Sequence, residues 1–283
     1  KGPKIVSSAD EVIVHWNNDT APHSNCDTKS ESITPSGKGY KVAHTTETVF
    51  YLFKAKNPTG QSLIIFPGGG YSVVSLSFGM AEWLRDNGIT AMVVKYRLPN
   101  GHKEVPLEDA AAAIEYMRNN AERLGLDPQK IGVSGSSAGG HLAASTAVGC
   151  LKANGDTSAR ATLRPDFAVL FYPVITGNPS QMHKGSYDKL LGSDRTQELT
   201  DKWSPELVAG KDAPQTLLIL SSDDATVPPI NSTKFYNTLK ELGVPASITI
   251  LPSGGHGWGF RDSFKYKAIW QEAMLQWLEN IRK

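Results

Sequence analysis

Cysteine, net charge and long apolar runs are all scarce in this chain. The 283 residues include only two cysteines, Cys26 and Cys150, which excludes a disulfide scaffold or a cysteine-rich zinc site. The 29 basic residues nearly balance the 28 acidic ones, so no basic surface for nucleic acid or an anionic membrane is expected. Apolar runs such as Leu63–Phe66 and Leu217–Leu220 have the length of strands and fall far short of the ~20 residues that cross a bilayer.

Two questions about processing stay open from the sequence. Cys26 and Cys150 could form one disulfide or remain two separate thiols. The chain begins at Lys1 rather than at a methionine, and a removed secretion signal is one explanation. We therefore expect a secreted or periplasmic protein.

Strand-like and helix-like segments alternate beyond about residue 45. Short apolar segments such as Ser62–Phe66, Ile89–Tyr96 and Asp166–Tyr172 are typical of buried strands, and amphipathic segments lie between them. This alternation predicts an α/β fold, in which helices cover both faces of a mostly parallel, twisted sheet. No linker interrupts the pattern, so residues 1–283 are predicted to form one domain.

Two regions depart from the alternating pattern. Residues 1–45 are interrupted by proline and glycine, including Pro22 and Pro35, and are predicted to be irregular. Residues 173–212 lie between two predicted strands and are long for a connection. We predict that this second region contains short helices and forms a small cap over the carboxyl edge of the sheet.

The sharpest local motif is the G-x-S-x-G sequence at residues 135–139, centred on Ser137. It follows a predicted strand and opens a predicted helix, which is the context of a nucleophile elbow. Such a turn requires small residues on either side of the nucleophile, here Gly135 and Gly139, because side chains there would collide. The alternatives are an ordinary glycine-rich turn between a strand and a helix, or a phosphate-binding turn. The segment lacks both the P-loop lysine and the G-x-G-x-x-G spacing of phosphate-binding turns.

A serine hydroxyl needs a general base, and the motif predicts that a histidine follows it along the chain. Three histidines do so: His141, His183 and His256. His141 lies on the helix only four residues after Ser137, and His183 lies in the predicted cap. His256 follows the last predicted strand in a glycine-rich loop, so we predict that it is the base.

The carboxylate that orients this base is expected just after a strand, between the serine and the histidine. Asp223 and Asp224 both follow the strand Gln215–Ser222, and because they are adjacent only one is expected to reach the imidazole. Asp212 precedes that strand and would lie at the wrong edge. The residues alone leave Asp223 and Asp224 as alternatives.

Acyl transfer also requires hydrogen-bond donors for the oxyanion that develops at the substrate carbonyl. The backbone amide of Ala138 is one predicted donor, since it follows the nucleophile. Gly69 and Gly70 follow an earlier strand, and without a Cβ their amides can approach an oxygen closely. No motif for a metal or cofactor is present, so we predict that the protein uses neither.

These motifs together resemble the α/β-hydrolase fold family, and more narrowly its branch of acetyl xylan esterases and related bacterial carbohydrate esterases. The resemblance spans most of residues 60–283 and rests on PGGGYS, AEWLRDNGITAMVVKYRLP, DPQKIGVSGSSAGGHLAAS, SPELVAGKDAPQTLLILSSDDATVPPINS and GGHGWGF. In that family the acid begins a D-x-x-V-P run, which implies Asp224 rather than Asp223. Pro67 replaces the histidine of many lipases, and Ser136 stands where relatives often carry a carboxylate.

The resemblance implies an esterase that removes small acyl groups, chiefly acetyl, from a carbohydrate and uses Ser137, His256 and Asp224 as its catalytic residues. Members of this branch are often exported. Tyr71 and Trp258 lie near the predicted site and are predicted to bind the substrate, although both could equally be packing residues. Two alternatives remain: a peptidase of the prolyl oligopeptidase type, and a catalytically silent relative that binds a sugar or a partner. Acyl chain length and oligomeric state stay open.

Overall fold

Residues 4–283, which the computed structural model describes, contain eleven strands in two sheets. In chain order these strands are β1 (Glu11–Asn17), β2 (Ser32–Ser36), β3 (Gly39–Ala43), β4 (Glu47–Phe53), β5 (Ser62–Phe66), β6 (Val74–Leu76), β7 (Thr90–Lys95), β8 (Ile131–Ser136), β9 (Phe167–Phe171), β10 (Gln215–Ser221) and β11 (Ala246–Leu251). The predicted strands from β4 onward are present, and β6 is an additional short one.

Helices connect most of the later strands. They are α1 (Gly79–Asp86), α2 (Glu104–Asn119), α3 (Ala121–Leu124), α4 (Ala138–Val148), α5 (Cys150–Ala153), α6 (Lys184–Leu191), α7 (Gln197–Asp201), α8 (Pro205–Val208), α9 (Ile230–Glu241) and α10 (Lys267–Arg282), with a 3₁₀ turn at Ala159–Thr162. None of the helices within residues 4–283 combines the length and the apolar character needed to cross a bilayer.

The large sheet has eight strands in the order β1-β4-β7-β5-β8-β9-β10-β11. Pairing is parallel from β7 through β11, whereas β1 and β4 run antiparallel to their neighbours. Every residue of the central strands β5 and β9 is buried, because helices cover both faces of the sheet. The carboxyl ends of β5, β8, β9, β10 and β11 therefore meet along one edge, where loops of different origin come together.

The two helical layers pack against opposite faces of the sheet. Helices α2 and α4 pack on each other and on β5 and β8. On the other face α1 and α10 meet through Trp83 and Trp270, whose ring centroids lie 5.4 Å apart in an edge-to-face arrangement. The indole of Trp270 is fully buried, as are Met274 and Leu278 on the same helix face.

The N-terminal region differs from the prediction. The sequence predicts irregular structure for residues 1–45, whereas β1, β2 and β3 occupy much of the described part, and residues 1–3 lie outside the described residues. Strand β1 pairs antiparallel with β4 and leaves Val12 and Val14 more than half exposed. Strands β2, β3 and β6 form the separate three-stranded sheet, in which β2 is an edge strand and tolerates Pro35.

The predicted cap region, residues 173–212, contains the short helices α6, α7 and α8. Its first residues lie beside the nucleophile turn, because the Val174 amide donates to the Ser137 carbonyl at 3.0 Å. The two cysteines do not pair: Cys26 is exposed and Cys150 is buried, and both are free thiols.

Candidate active site

The turn between β8 and α4 holds Ser137 in an unusual backbone conformation. Its φ of 56° and ψ of −119° are strained for a residue with a side chain. The neighbouring glycines leave room for this turn. A Cβ on Gly135 would lie 2.0 Å from the Gly139 carbonyl oxygen, and a Cβ on Gly139 would lie 2.0 Å from the Phe66 carbonyl oxygen. Both positions beside Ser137 therefore require glycine, as the motif predicts.

The structure brings the three predicted triad side chains into one hydrogen-bonded chain. The His256 Nε2 lies 2.8 Å from the Ser137 Oγ, and the His256 Nδ1 lies 2.7 Å from an Asp224 carboxylate oxygen. Because a carboxylate only accepts, Nδ1 carries the proton and Nε2 is left to accept from the serine hydroxyl. The Asp224 side chain is 1% exposed and the His256 side chain 17%, so the acid is buried behind a base that solvent can reach.

Asp224 and Asp223, which the residues alone left as alternatives, have different partners. One oxygen of Asp224 accepts from the amides of Thr226 and Val227 at 2.9 Å each, which leaves the other oxygen free for His256. Asp223 instead accepts from the Gly255 amide at 2.8 Å. Asp223 thus holds the loop that carries His256, and Asp224 contacts the imidazole.

The loop after β5 lies directly against the nucleophile turn. A Cβ on Gly68 would lie 3.4 Å from the Ser137 Cβ. Gly69 and Gly70 have φ values of 134° and 64°, which favour glycine. Within residues 4–283, the amides of Gly69, Gly70 and Ala138 form no hydrogen bond with a backbone carbonyl. These three predicted donors are therefore free to bind an oxyanion. We call residues 67–71 the oxyanion loop, after the role that the sequence predicts for the Gly69 and Gly70 amides.

Tyr172 is a site residue that the sequence analysis missed. Its ring packs edge-to-face on the His256 imidazole with the centroids 4.7 Å apart, and its hydroxyl accepts from the Gly259 amide at 3.0 Å. Burial raises the pKa of Tyr172 to about 12, so the hydroxyl stays protonated. The available signal was its position, since Tyr172 directly follows β9 at the same edge of the sheet as Ser137.

The two predicted substrate-binding rings require a correction, because the structure buries both of them. Tyr71 is 3% exposed, and its hydroxyl lies 2.8 Å from the His141 Nδ1. Trp258 is 2% exposed, donates from Nε1 to the Ser221 Oγ and stacks on Phe264. Both rings are therefore packed in the interior, which is the alternative that the sequence left open. The side chains point inward because each has a hydrogen-bond partner there.

The other two histidines after Ser137 are engaged elsewhere. His141 is buried, and its Nε2 lies 2.8 Å from the Trp203 carbonyl oxygen. His183 caps α6, where its Nδ1 accepts from the Ser186 amide at 3.2 Å. Within residues 4–283, no group of three or more histidine, cysteine or acidic side chains could hold a metal ion.

A mostly parallel sheet with helices on both faces and a strained serine turn at its edge defines an α/β-hydrolase fold. The chain belongs to the BD-FAE family, whose model matches residues 50–239.

Among solved structures, the chain is similar to an acetyl ester-xyloside bifunctional hydrolase from Caldicellulosiruptor lactoaceticus. The identity is 32%, the TM-score is 0.77, and the match covers 96% of this chain and 97% of that one. A Thermogutta terrifontis esterase, Est2 with bound propionate, is 24% identical with a TM-score of 0.66 over 89% of this chain and 94% of that one, which shows the fold.

Among curated proteins, the chain is 33% identical over 236 residues to an acetylxylan esterase from Xylanibacter ruminicola, covering 81% of this chain and 47% of that protein. It is also 33% identical to endo-1,4-beta-xylanase B from Butyrivibrio fibrisolvens, over 69% of this chain and 32% of that protein. The chain thus spans half or less of the length of these two relatives.

Proposed function

We propose that this protein is a serine esterase that removes small acyl groups, chiefly acetyl, from a carbohydrate such as acetylated xylan. The observation that carries the proposal is the continuous hydrogen-bonded chain from the Ser137 Oγ through His256 to the buried Asp224. Such a chain is the arrangement that makes a serine hydroxyl nucleophilic at neutral pH.

In the acylation step, the Ser137 Oγ attacks the ester carbonyl carbon while His256 Nε2 takes the hydroxyl proton. Asp224 holds the imidazole in the required tautomer and stabilises the imidazolium that forms. The tetrahedral intermediate then expels the sugar oxygen, which receives the proton from His256 and leaves as an alcohol. Ser137 is left carrying the acyl group.

The negative charge on the tetrahedral intermediate needs donors that are already in place. The amides of Gly69, Gly70 and Ala138 supply them, since they have no other acceptor within residues 4–283. Ala138 is also the first residue of α4, so the positive end of that helix dipole lies at the same point.

Water completes the cycle by the same route. His256 takes a proton from water as the water oxygen attacks the acyl-enzyme carbonyl, and it returns that proton to the Ser137 oxygen as the acid leaves. The products are a free carboxylic acid and a deacylated sugar hydroxyl. The chemistry requires no metal or cofactor.

The carbohydrate part of the proposal is supported by the relatives. An acetylxylan esterase, a xylanase and an acetyl ester-xyloside hydrolase are among the proteins that this chain resembles at 32–33% identity. Xylan is a polymer that does not cross a cell membrane, so we also propose that the protein acts outside the cytoplasm. Cell fractionation of the producing organism tests this second point: recovery only in the cytoplasm would contradict it.

The activity is tested by measuring acetate release from acetylated xylan, together with hydrolysis of p-nitrophenyl esters of increasing chain length and of a peptide anilide. We expect acetate release and the highest kcat/KM on the acetyl ester, both lost in Ser137→Ala. The anilide as the preferred substrate would favour a peptidase. No turnover of any ester by the wild type would instead favour a silent relative.

A further inference from the structure

A buried chain of hydrogen bonds joins the oxyanion loop to the cap. The Tyr71 hydroxyl lies 2.8 Å from the His141 Nδ1, and the His141 Nε2 lies 2.8 Å from the carbonyl oxygen of Trp203. The three residues are 3%, 1% and 2% exposed, so these hydrogen bonds are shielded from water. We call this chain the buried link. It crosses from the loop after β5, through α4, to the segment between α7 and α8.

The direction of each hydrogen bond in the buried link is fixed by chemistry. A backbone carbonyl only accepts, so the His141 Nε2 carries the proton that it donates to Trp203. Burial lowers the pKa of His141 to about 4, and the ring is therefore neutral near pH 7. A neutral ring protonated on Nε2 must accept at Nδ1, so the Tyr71 hydroxyl is the donor.

The backbone at Tyr71 needs this anchor. Tyr71 has a φ of 60°, a left-handed conformation that is unfavourable for a residue with a Cβ, and it directly follows Gly70 at 64°. These two residues set the direction of the loop that carries the Gly69 and Gly70 amides. A second anchor, the Tyr96 hydroxyl, donates to the Pro67 carbonyl at 2.6 Å and holds the start of the same loop.

We propose that Tyr71 and His141 are positioning residues, which hold the Gly69 and Gly70 amides in the orientation that binds the oxyanion. Neither side chain touches the reacting atoms, so they act only through the oxyanion loop. His141 suits this place because an imidazole accepts on one side and donates on the other, and here it spans from the loop to the cap. The inference rests on the proposed esterase function and goes beyond its triad.

Tyr71→Phe is the sharpest test, since it removes one oxygen atom and keeps the ring. Loss of a well-placed oxyanion donor lowers kcat by about 10²–10³, and a misaligned one should cost part of that. We expect kcat on p-nitrophenyl acetate to fall roughly 10- to 100-fold with KM changed less than about 3-fold. Affinity for a trifluoromethyl ketone, whose hemiketal oxygen occupies the same position, should fall by the same factor as kcat/KM.

Thr216→Val is the matched control. Thr216 is 1% exposed and its hydroxyl donates to the Pro214 carbonyl at 2.9 Å, at the amino end of β10 and away from both the buried link and the oxyanion loop. This variant should also lose thermal stability and should keep the wild-type kcat. A Tyr71→Phe enzyme with kcat within about 3-fold of wild type, or an equal kcat loss in Thr216→Val, would overturn the proposal.

Hydrogen exchange separates this inference from the esterase function. Amides of residues 67–76 should exchange faster in Tyr71→Phe than in the wild type or in Thr216→Val. If the wild type hydrolyses no ester, the proposed function fails, while exchange still decides whether the buried link holds the loop. If Tyr71→Phe does not fold, His141→Gln breaks the same link at its centre, and both readouts apply to it. Unchanged exchange in residues 67–76 would refute the positioning role.

Discussion

Replacing Asp224 with asparagine changes which nitrogen of the His256 imidazole carries the proton, while the packing around the ring stays the same. The new side chain has the same shape, and its carbonyl oxygen can still accept from the amides of Thr226 and Val227. Its NH₂ group would then face the His256 Nδ1 at the present distance of 2.7 Å. A donor there forces Nδ1 to accept, so Nε2 becomes protonated and can no longer take the Ser137 proton.

The expected loss in kcat is on the order of 10³ to 10⁴, which corresponds to about 4 to 5.5 kcal/mol of transition-state stabilisation. Initial rates on p-nitrophenyl acetate near pH 7.5 measure it, and thermal unfolding checks that the fold is retained. Asp223→Asn is the matched control, because its carbonyl oxygen can still accept from the Gly255 amide. The kcat of Asp223→Asn should fall by less than about 10-fold. The assignment of Asp224 as the residue that orients His256 would be refuted by either of two results. One is an Asp224→Asn enzyme with a kcat within 10-fold of wild type, and the other is an Asp223→Asn enzyme that loses as much kcat as Asp224→Asn does.

Three further predictions concern the turn, the buried histidine and the thiols. Gly135→Ala places a methyl group 2.0 Å from the Gly139 carbonyl oxygen, so esterase activity should be lost and the melting temperature lowered; a fully active variant would contradict the steric account. The folded-state pKa of His141, about 4 against an ordinary 6.5, means that its contribution to stability is complete above pH 6.5 and is lost as the pH falls toward 4. That contribution is about 3 kcal/mol. Urea unfolding of the wild type and of His141→Gln should therefore show a difference in the free energy of unfolding that narrows as the pH falls from 6.5 to 4. A difference that stays constant over this pH range would exclude the lowered folded-state pKa of His141. Ellman's reagent should titrate one thiol in the native protein, Cys26, and a second only after denaturation, because Cys150 is buried with its pKa raised to about 12.

The three residues that the structure joins into one hydrogen-bonded chain could be predicted from the sequence, because their signals are local and their placement follows from the fold. The residues around Ser137 specify a strained turn, and parallel strands bring their carboxyl ends to one edge. Asp224 and Asp223 could not be separated by chemistry alone, since adjacent carboxylates follow the same strand. What separates them in the structure is the pair of amides at Thr226 and Val227, which fixes the Asp224 carboxylate.

The N-terminal strands and the aromatic residues could not be predicted in the same way. Pro35 and the glycines near it favour a loop, yet β2 is an edge strand whose outer side needs no amide donor. Tyr71 and Trp258 lie beside predicted site residues along the chain, but proximity in sequence does not give the direction of a side chain. The left-handed backbone at Tyr71 and a buried partner for each ring turn both of them inward.

The central claim is that Ser137 forms a covalent acyl-enzyme. Rapid-quench mass spectrometry after mixing with p-nitrophenyl acetate tests it directly, with peptide mapping to locate the acetyl group. We expect one acetyl group on Ser137 in the wild type and none in Ser137→Ala. Turnover without any acetyl group on Ser137, or an acetyl group on a different residue that tracks the turnover rate, would contradict it.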